Sequence, residues 1–165
     1  MGNNRSINAI CILDSNEIKG NVYFHQCNFS SSTKVKFYLK GTPLKTHAIH
    51  IHEYGDLRKG CTSLGPHYNP NNTTHGSILY KMERHAGDLI NNIVFDENGK
   101  FEYEYEDSLL NVYDILGRSV VIHEKPDDLG LGKGKDREES LKTGNAGNRI
   151  CCAIIALSEK CDIEH

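Results

Sequence analysis

Six of the nine histidines fall between His47 and Asp88, in types and spacings that suit metal ligation. His50 and His52 stand two apart in an apolar-flanked run. Side chains on a strand alternate faces, so both imidazoles leave the same side. His67, His75, His85 and Asp88 follow on a stretch studded with Gly, Pro and Asn, too widely spaced for one helix but suited to a loop folded around an ion. Three imidazoles and one carboxylate are the closed tetrahedral inventory of structural zinc. His50 and His52, with His123 at the end of the apolar run Val120–Ile122, make a second set that leaves a coordination position open. Such a set suits copper, which binds imidazole strongly and accepts a tetragonal arrangement when oxidised. His47 has the opposite strand parity and is expected to be a hydrogen-bonded support, while His25 and His165 read as structural.

These ligands need a scaffold, and the rest of the chain reads as strands. Ile7–Leu13 and Ile18–His25 flank the turn at Asp14, Ser15 and Asn16 and are expected to form a hairpin. Val35, Phe37 and Leu39 alternate with Lys34, Lys36, Tyr38 and Lys40 in a third strand, and Ala48–Glu53 makes the fourth. Leu89–Phe95 and Lys100–Glu106 flank Asp96, Glu97, Asn98 and Gly99 and read as a second hairpin. Gly117–His123 and Ile150–Leu157 complete eight strands with few helical stretches, which implies an antiparallel sandwich or barrel. Two long loops remain. One runs to about Gly87 and carries the zinc inventory; the other, Glu124–Arg149, holds five glycines and many charges.

At 165 residues, 38% of them apolar, the chain suits one domain spanning 1–165. A formal charge of -3 with both signs scattered argues against a nucleic-acid surface built on a basic stripe. No apolar run is long enough for a membrane span, and the opening residues lack the apolar core of a secretory signal, so the cytoplasm is the expected location. Gly2 and Ser6 match a loose acylation pattern. Cys11, Cys27, Cys61, Cys151, Cys152 and Cys161 lack zinc-ribbon spacing, and in an unexported chain most are expected to be reduced thiols.

The segments HAIHIHEYGD from His47, GCTSLGPHYNP from Gly60, ERHAGDL from Glu83, GRSVVIHEKPDDLG from Gly117 and KTGNAGNRI from Lys142 together resemble the Cu,Zn superoxide dismutases, in order and over nearly the whole chain. The resemblance implies an eight-stranded antiparallel Greek-key β-barrel that converts superoxide to dioxygen and hydrogen peroxide. It implies copper on His50, His52, His67 and His123, and zinc on His67, His75, His85 and Asp88, with His67 bridging the two ions and carrying protons. Asp127 would link His50 with His75. Arg149 would bind the anion beside the open copper position, Thr143 would narrow the opening, and Glu138, Glu139 and Lys142 would form its charged rim. A disulfide between Cys61 and Cys152 is implied too, although Cys151 is adjacent and only strand alternation favours Cys152. A homodimer through Ile10, Ile12, Gly55, Leu116, Gly117 and Ile155 and loading by a copper chaperone complete the expectation. The stretch Leu131–Arg137 is longer than the family's usual loop. A non-enzymatic alternative on the same fold is a zinc-stabilised interaction module or a copper-delivery or copper-buffering domain.

Overall fold

The computed structural model describes residues 6–80 and 83–159, in which two antiparallel sheets face each other across one apolar core. Strand β1 (Ile7–Asp14) buries Ile7, Ala9, Cys11 and Leu13 and turns Asn8, Ile10 and Ile12 outward, the period of a sheet with one solvated face. Ser15 N–H donates to the Ile18 carbonyl at 2.9 Å and closes the turn into β2 (Lys19–Gln26), so the first expected hairpin forms, with Leu13 opposite Gly20. In β3 (Thr33–Lys40), Val35, Phe37 and Leu39 point inward as expected. The chain then crosses to the second sheet. There β4 (Thr46–His52) is buried on both faces: Ile49 and Ile51 join the core, while His50 and His52 take the opposite side.

The short β5 (Arg58–Cys61) lies in the long loop that follows. Next, β6 (Asn92–Val94) pairs with β4, whereas β7 (Lys100–Asp107) pairs with β3. The second expected hairpin therefore does not form. Its turn exists, with Gly99 N–H on the Asp96 carbonyl at 3.0 Å and Gly99 at φ 73°, but the chain uses it to change sheets. The flanking backbone is already claimed: Phe95 N–H donates to the Lys45 carbonyl and Gly41 N–H to the Gly99 carbonyl.

After helix α1 (Val112–Ile115), β8 (Ser119–His123) runs buried between β4 and β9 (Arg149–Ile154). The last apolar run was expected as one strand but divides at buried Ile155, and β10 (Ala156–Leu157) leaves to pair with β1. Eight sequence runs thus supply nine sheet strands, ordered β10-β1-β2-β3-β7 and β6-β4-β8-β9, and the all-β Greek-key expectation holds. The charged loop between β8 and β9 contains helix α2 (Arg137–Thr143), which the sequence reading did not anticipate. Lys142 reaches Glu138 one turn back at 2.6 Å, and Gly144 closes the helix at φ 68°.

Candidate metal centre

His50 and His52 project from the outer face of β4, and His123 ends the neighbouring β8. The long loop brings in the fourth imidazole by returning antiparallel to the end of β4: Tyr68 N–H donates to the Ile51 carbonyl at 2.8 Å, and His67 bridges to His52. One ring nitrogen from each of His50, His52, His67 and His123 lies within 4.8 Å of all the others. The opposite nitrogens of three of these rings are committed. His50 Nε2–H donates to Asp127 Oδ2 at 2.6 Å, His52 Nδ1–H to the Gly65 carbonyl at 2.8 Å, and His123 Nδ1–H to the Gly147 carbonyl at 3.1 Å. A neutral imidazole has one proton, so these bonds leave lone pairs on His50 Nδ1, His52 Nε2 and His123 Nε2. His52 Nε2 and His123 Nε2 stand 3.3 Å apart with no proton to share, and the buried His50 Nδ1 and His67 Nε2 have no hydrogen-bond partner. Burial favours the neutral rings, lowering His67 to about 3 and His123 to about 4 and depressing His50 and His52 as well. Lone pairs converging in a dry pocket fit a cation.

The second cluster shares His67. Nδ1 atoms of His67, His75 and His85 lie 3.1, 2.9 and 3.1 Å from Asp88 Oδ1, while Asp88 Oδ2 accepts the backbone N–H groups of Gly76 and His85. His75 gives its Nε2 proton to Asp127 Oδ1 at 2.9 Å, so a neutral His75 meets Asp88 with a lone pair. A metal cation resolves that opposition. In its absence a second proton does: burial disfavours the charged ring, but Asp127 and Asp88 outweigh it and raise His75 to about 10. This set of three imidazoles and a carboxylate is closed and buried, as a structural zinc site is.

Asp127 connects the clusters. Its two oxygens take His50 and His75, Leu129 N–H adds a bond to Oδ1 at 2.6 Å, and Asn92 clamps its backbone. A side chain on Gly144 would run into Asp127 and His75, so this glycine is needed for close approach. His47 meets its expectation as a support by donating from Nδ1 to the His123 carbonyl at 2.9 Å.

A cavity of about 890 Å³ opens over the first cluster, and its lining includes Arg149, Thr143, Lys142, Glu138 and Glu139 along with His52, His67 and His123. Arg149 donates from Nη1 to the Cys61 carbonyl at 2.8 Å and from Nη2 to the Gly65 carbonyl at 2.7 Å. The Gly65 carbonyl therefore holds both His52 and Arg149, and Cys61 is in turn bonded to Cys152. Lys142 is neutralised in part by Glu138, and Thr143 donates to Glu139 at 2.7 Å. Sequence reading missed the carbonyls of Gly65 and Gly147, the clamp by Asn92, and Lys125 in the cavity wall. The glycines between Lys142 and Arg149 were a usable signal, since Gly144 and Gly147 both have positive φ.

The copper/zinc superoxide dismutase family model matches residues 18–155. The chain belongs to that family. It is 43% identical over 159 residues to the extracellular Cu-Zn superoxide dismutase of Brugia pahangi, covering 93% of this chain and 78% of the relative. Identity to the Cu-Zn superoxide dismutase of Saccharomyces cerevisiae is also 43%, covering 92% and 99%. A crystal structure of the clock protein EA4 superposes with a TM-score of 0.83 at 38% identity, over 96% of this chain and 99% of the other. Superoxide dismutation with copper and zinc is the activity of the family, and the two histidine clusters suit those metals.

Membership corrects one expectation. The cytoplasmic location read from the opening residues does not stand, because matching relatives from Brugia pahangi, Onchocerca volvulus and Drosophila melanogaster are named extracellular. Among the described residues no helix is long and apolar enough to cross a membrane.

Proposed function

We propose that residues 1–165 act as one domain in which His50, His52, His67 and His123 hold copper and His67, His75, His85 and Asp88 hold zinc. The observation that carries this reading is the convergence of ring nitrogens whose partners across each ring are already tied to Asp127, Gly65 and Gly147. Copper, when bound, supplies the one-electron chemistry that takes an electron from one superoxide and returns it to the next, while zinc stays redox-silent. The chain does the rest. Two of the five N–H donors of Arg149 are spent on carbonyls that fix the guanidinium in the cavity wall, and the remainder serve the incoming anion. Thr143 narrows the opening, with Glu138, Glu139 and Lys142 as its rim. His67 presents Nε2 to one cluster and Nδ1 to the other, so a proton held at Nε2 stands where peroxide needs it. Asp127 keeps His50 and His75 in the tautomer that ligation requires.

Two partners belong to the same proposal. The copper ligands are 0–4% exposed and lie beneath the cavity, which favours loading by a copper-delivering protein. Ile12, 62% exposed, and the neighbouring Ile10, with Gly55, Leu116 and Gly117, offer a face to a second copy, whereas Ile155 is buried in the core. Superoxide decay separates this reading from a zinc-stabilised binding module. Protein loaded with both metals is expected to act fast, and zinc-only protein and copper-exposed His123→Ala to fall to the rate of free metal. Equal rates in all three would leave only the binding module.

A further inference from the structure

A second constellation of chemically capable side chains lies on the other sheet. Asn8 of β1 and His25 of β2 are direct cross-strand partners on the outward face, and Cys27 follows His25 by two residues. Asn8 Oδ1 is 2.7 Å from His25 Nδ1, and His25 Nε2 is 3.4 Å from Cys27 Sγ. A proton on Nδ1 donated to Asn8 leaves Nε2 as an acceptor aimed at the thiol. Thiol, base and orienting amide thus follow one another in the order that activates a cysteine nucleophile. The other described cysteines contrast with it. Cys61 and Cys152 are joined, and Cys11 and Cys151 are buried, with burial raising the Cys11 thiol to about 12. Among the described residues Cys27 is the one exposed free thiol.

We propose that Cys27, with His25 as its base and Asn8 as the residue that positions His25, is a peroxide-reactive site that the enzyme's own product oxidises to a sulfenic acid. The Cys27 proton passes to His25 Nε2, and the sulfur attacks one oxygen of hydrogen peroxide. An S–O bond forms as the O–O bond breaks, the sulfur losing two electrons to the peroxide. The departing hydroxide takes the proton back from His25 and leaves as water, with Cys27–SOH as the other product. The site is on the five-stranded sheet and the metal ligands of β4 and β8 on the four-stranded one, so peroxide reaches Cys27 from solvent, as a measure of turnover.

The test uses the full chain loaded with copper and zinc, and a zinc-only form that removes copper-catalysed oxidation. Reagent hydrogen peroxide is added with a sulfenic-acid trap, and labelling is followed by peptide mass spectrometry. Because the peroxide is added, the result does not depend on dismutase activity. A free thiol is only a few per cent thiolate at neutral pH, so His25→Gln is expected to slow labelling of Cys27 on the order of tenfold. Asn8→Ala slows it by less, Asn8→Asp restores it, and Cys161→Ser leaves it unchanged. Superoxide decay stays at the wild-type rate in all of these variants and in Cys27→Ser, which shows that they fold. Labelling of Cys27 at the same rate in His25→Gln and the wild type, or no labelling of Cys27 in either metal form, overturns the proposal.

Discussion

Asp127 decides which nitrogen two histidines offer. With one oxygen on His50 Nε2 and the other on His75 Nε2, it fixes both tautomers from a single buried carboxylate. An amide has only one acceptor oxygen, so Asp127→Asn is expected to lose one of these bonds and to weaken metal affinity roughly 10–100-fold. Competition with a calibrated chelator measures this, and unchanged affinity would rule the role out. The role proposed for Arg149 is on the substrate instead: Arg149→Lys keeps the charge but loses the fork held by Cys61 and Gly65. Superoxide turnover is expected to drop severalfold at full metal content, and further in Arg149→Ala. At this scale the sequence was legible where ligands cluster, since parity alone put His50 and His52 on one face. Asp127 lies 77 positions from His50 and belongs to no local pattern, so only the family resemblance pointed to it. Backbone carbonyls such as that of Gly65 carry no side-chain signature at all.

Strands β4 and β8 do two jobs because both of their faces are covered, one by the core and the other by the long loops. The disulfide ties β5 of the metal-binding loop to β9 across 91 positions, and the Cys61 carbonyl holds Arg149. Reduction is therefore expected to cost about 2–5 kcal/mol of stability and to slow turnover in the fully metallated protein. Denaturant unfolding and superoxide decay of Cys61→Ser measure the two effects, with Cys151→Ser, a buried free thiol, as the variant that keeps the bond. Loss of stability with normal turnover would separate the disulfide from Arg149. Element types were mostly readable from alternation, but partners were not. The run ending at Phe95 and the run beginning at Lys100 have a good turn between them, yet tertiary pairing with β4 and β3 sends them to different sheets. Helix α2 was missed because a seven-residue amphipathic stretch inside a glycine-rich loop has little periodicity, though the Glu138–Lys142 spacing and Gly144 mark it.

The whole molecule carries a formal charge of -3 and acts on an anion, so attraction has to come from local cations lining the cavity. Turnover is expected to fall as ionic strength rises, and a salt-independent rate would remove Arg149 from that role. Proton linkage also acts at this scale. In the metal-free protein burial keeps His50, His52, His67 and His123 neutral, with His67 at about 3 and His123 at about 4 against 6.5 for a free ring. The unfolded chain binds more protons between about pH 6.5 and 4, so stability is lost as pH falls through that window. His75, raised to about 10, works oppositely: its contribution is present below pH 6.5 and lost as pH rises toward 10. Thermal unfolding of the metal-free protein is expected to show a lower midpoint at pH 5 than at pH 7. Equal midpoints would contradict the burial of neutral rings.

The most direct measurement is a crystal structure of protein loaded with copper and zinc, with anomalous scattering recorded at both absorption edges. Two distinct ions are predicted, copper among His50, His52, His67 and His123 and zinc among His67, His75, His85 and Asp88, with the His67 ring between them. A single ion, or copper found only among the zinc ligands with His50, His52 and His123 bare, would contradict the account.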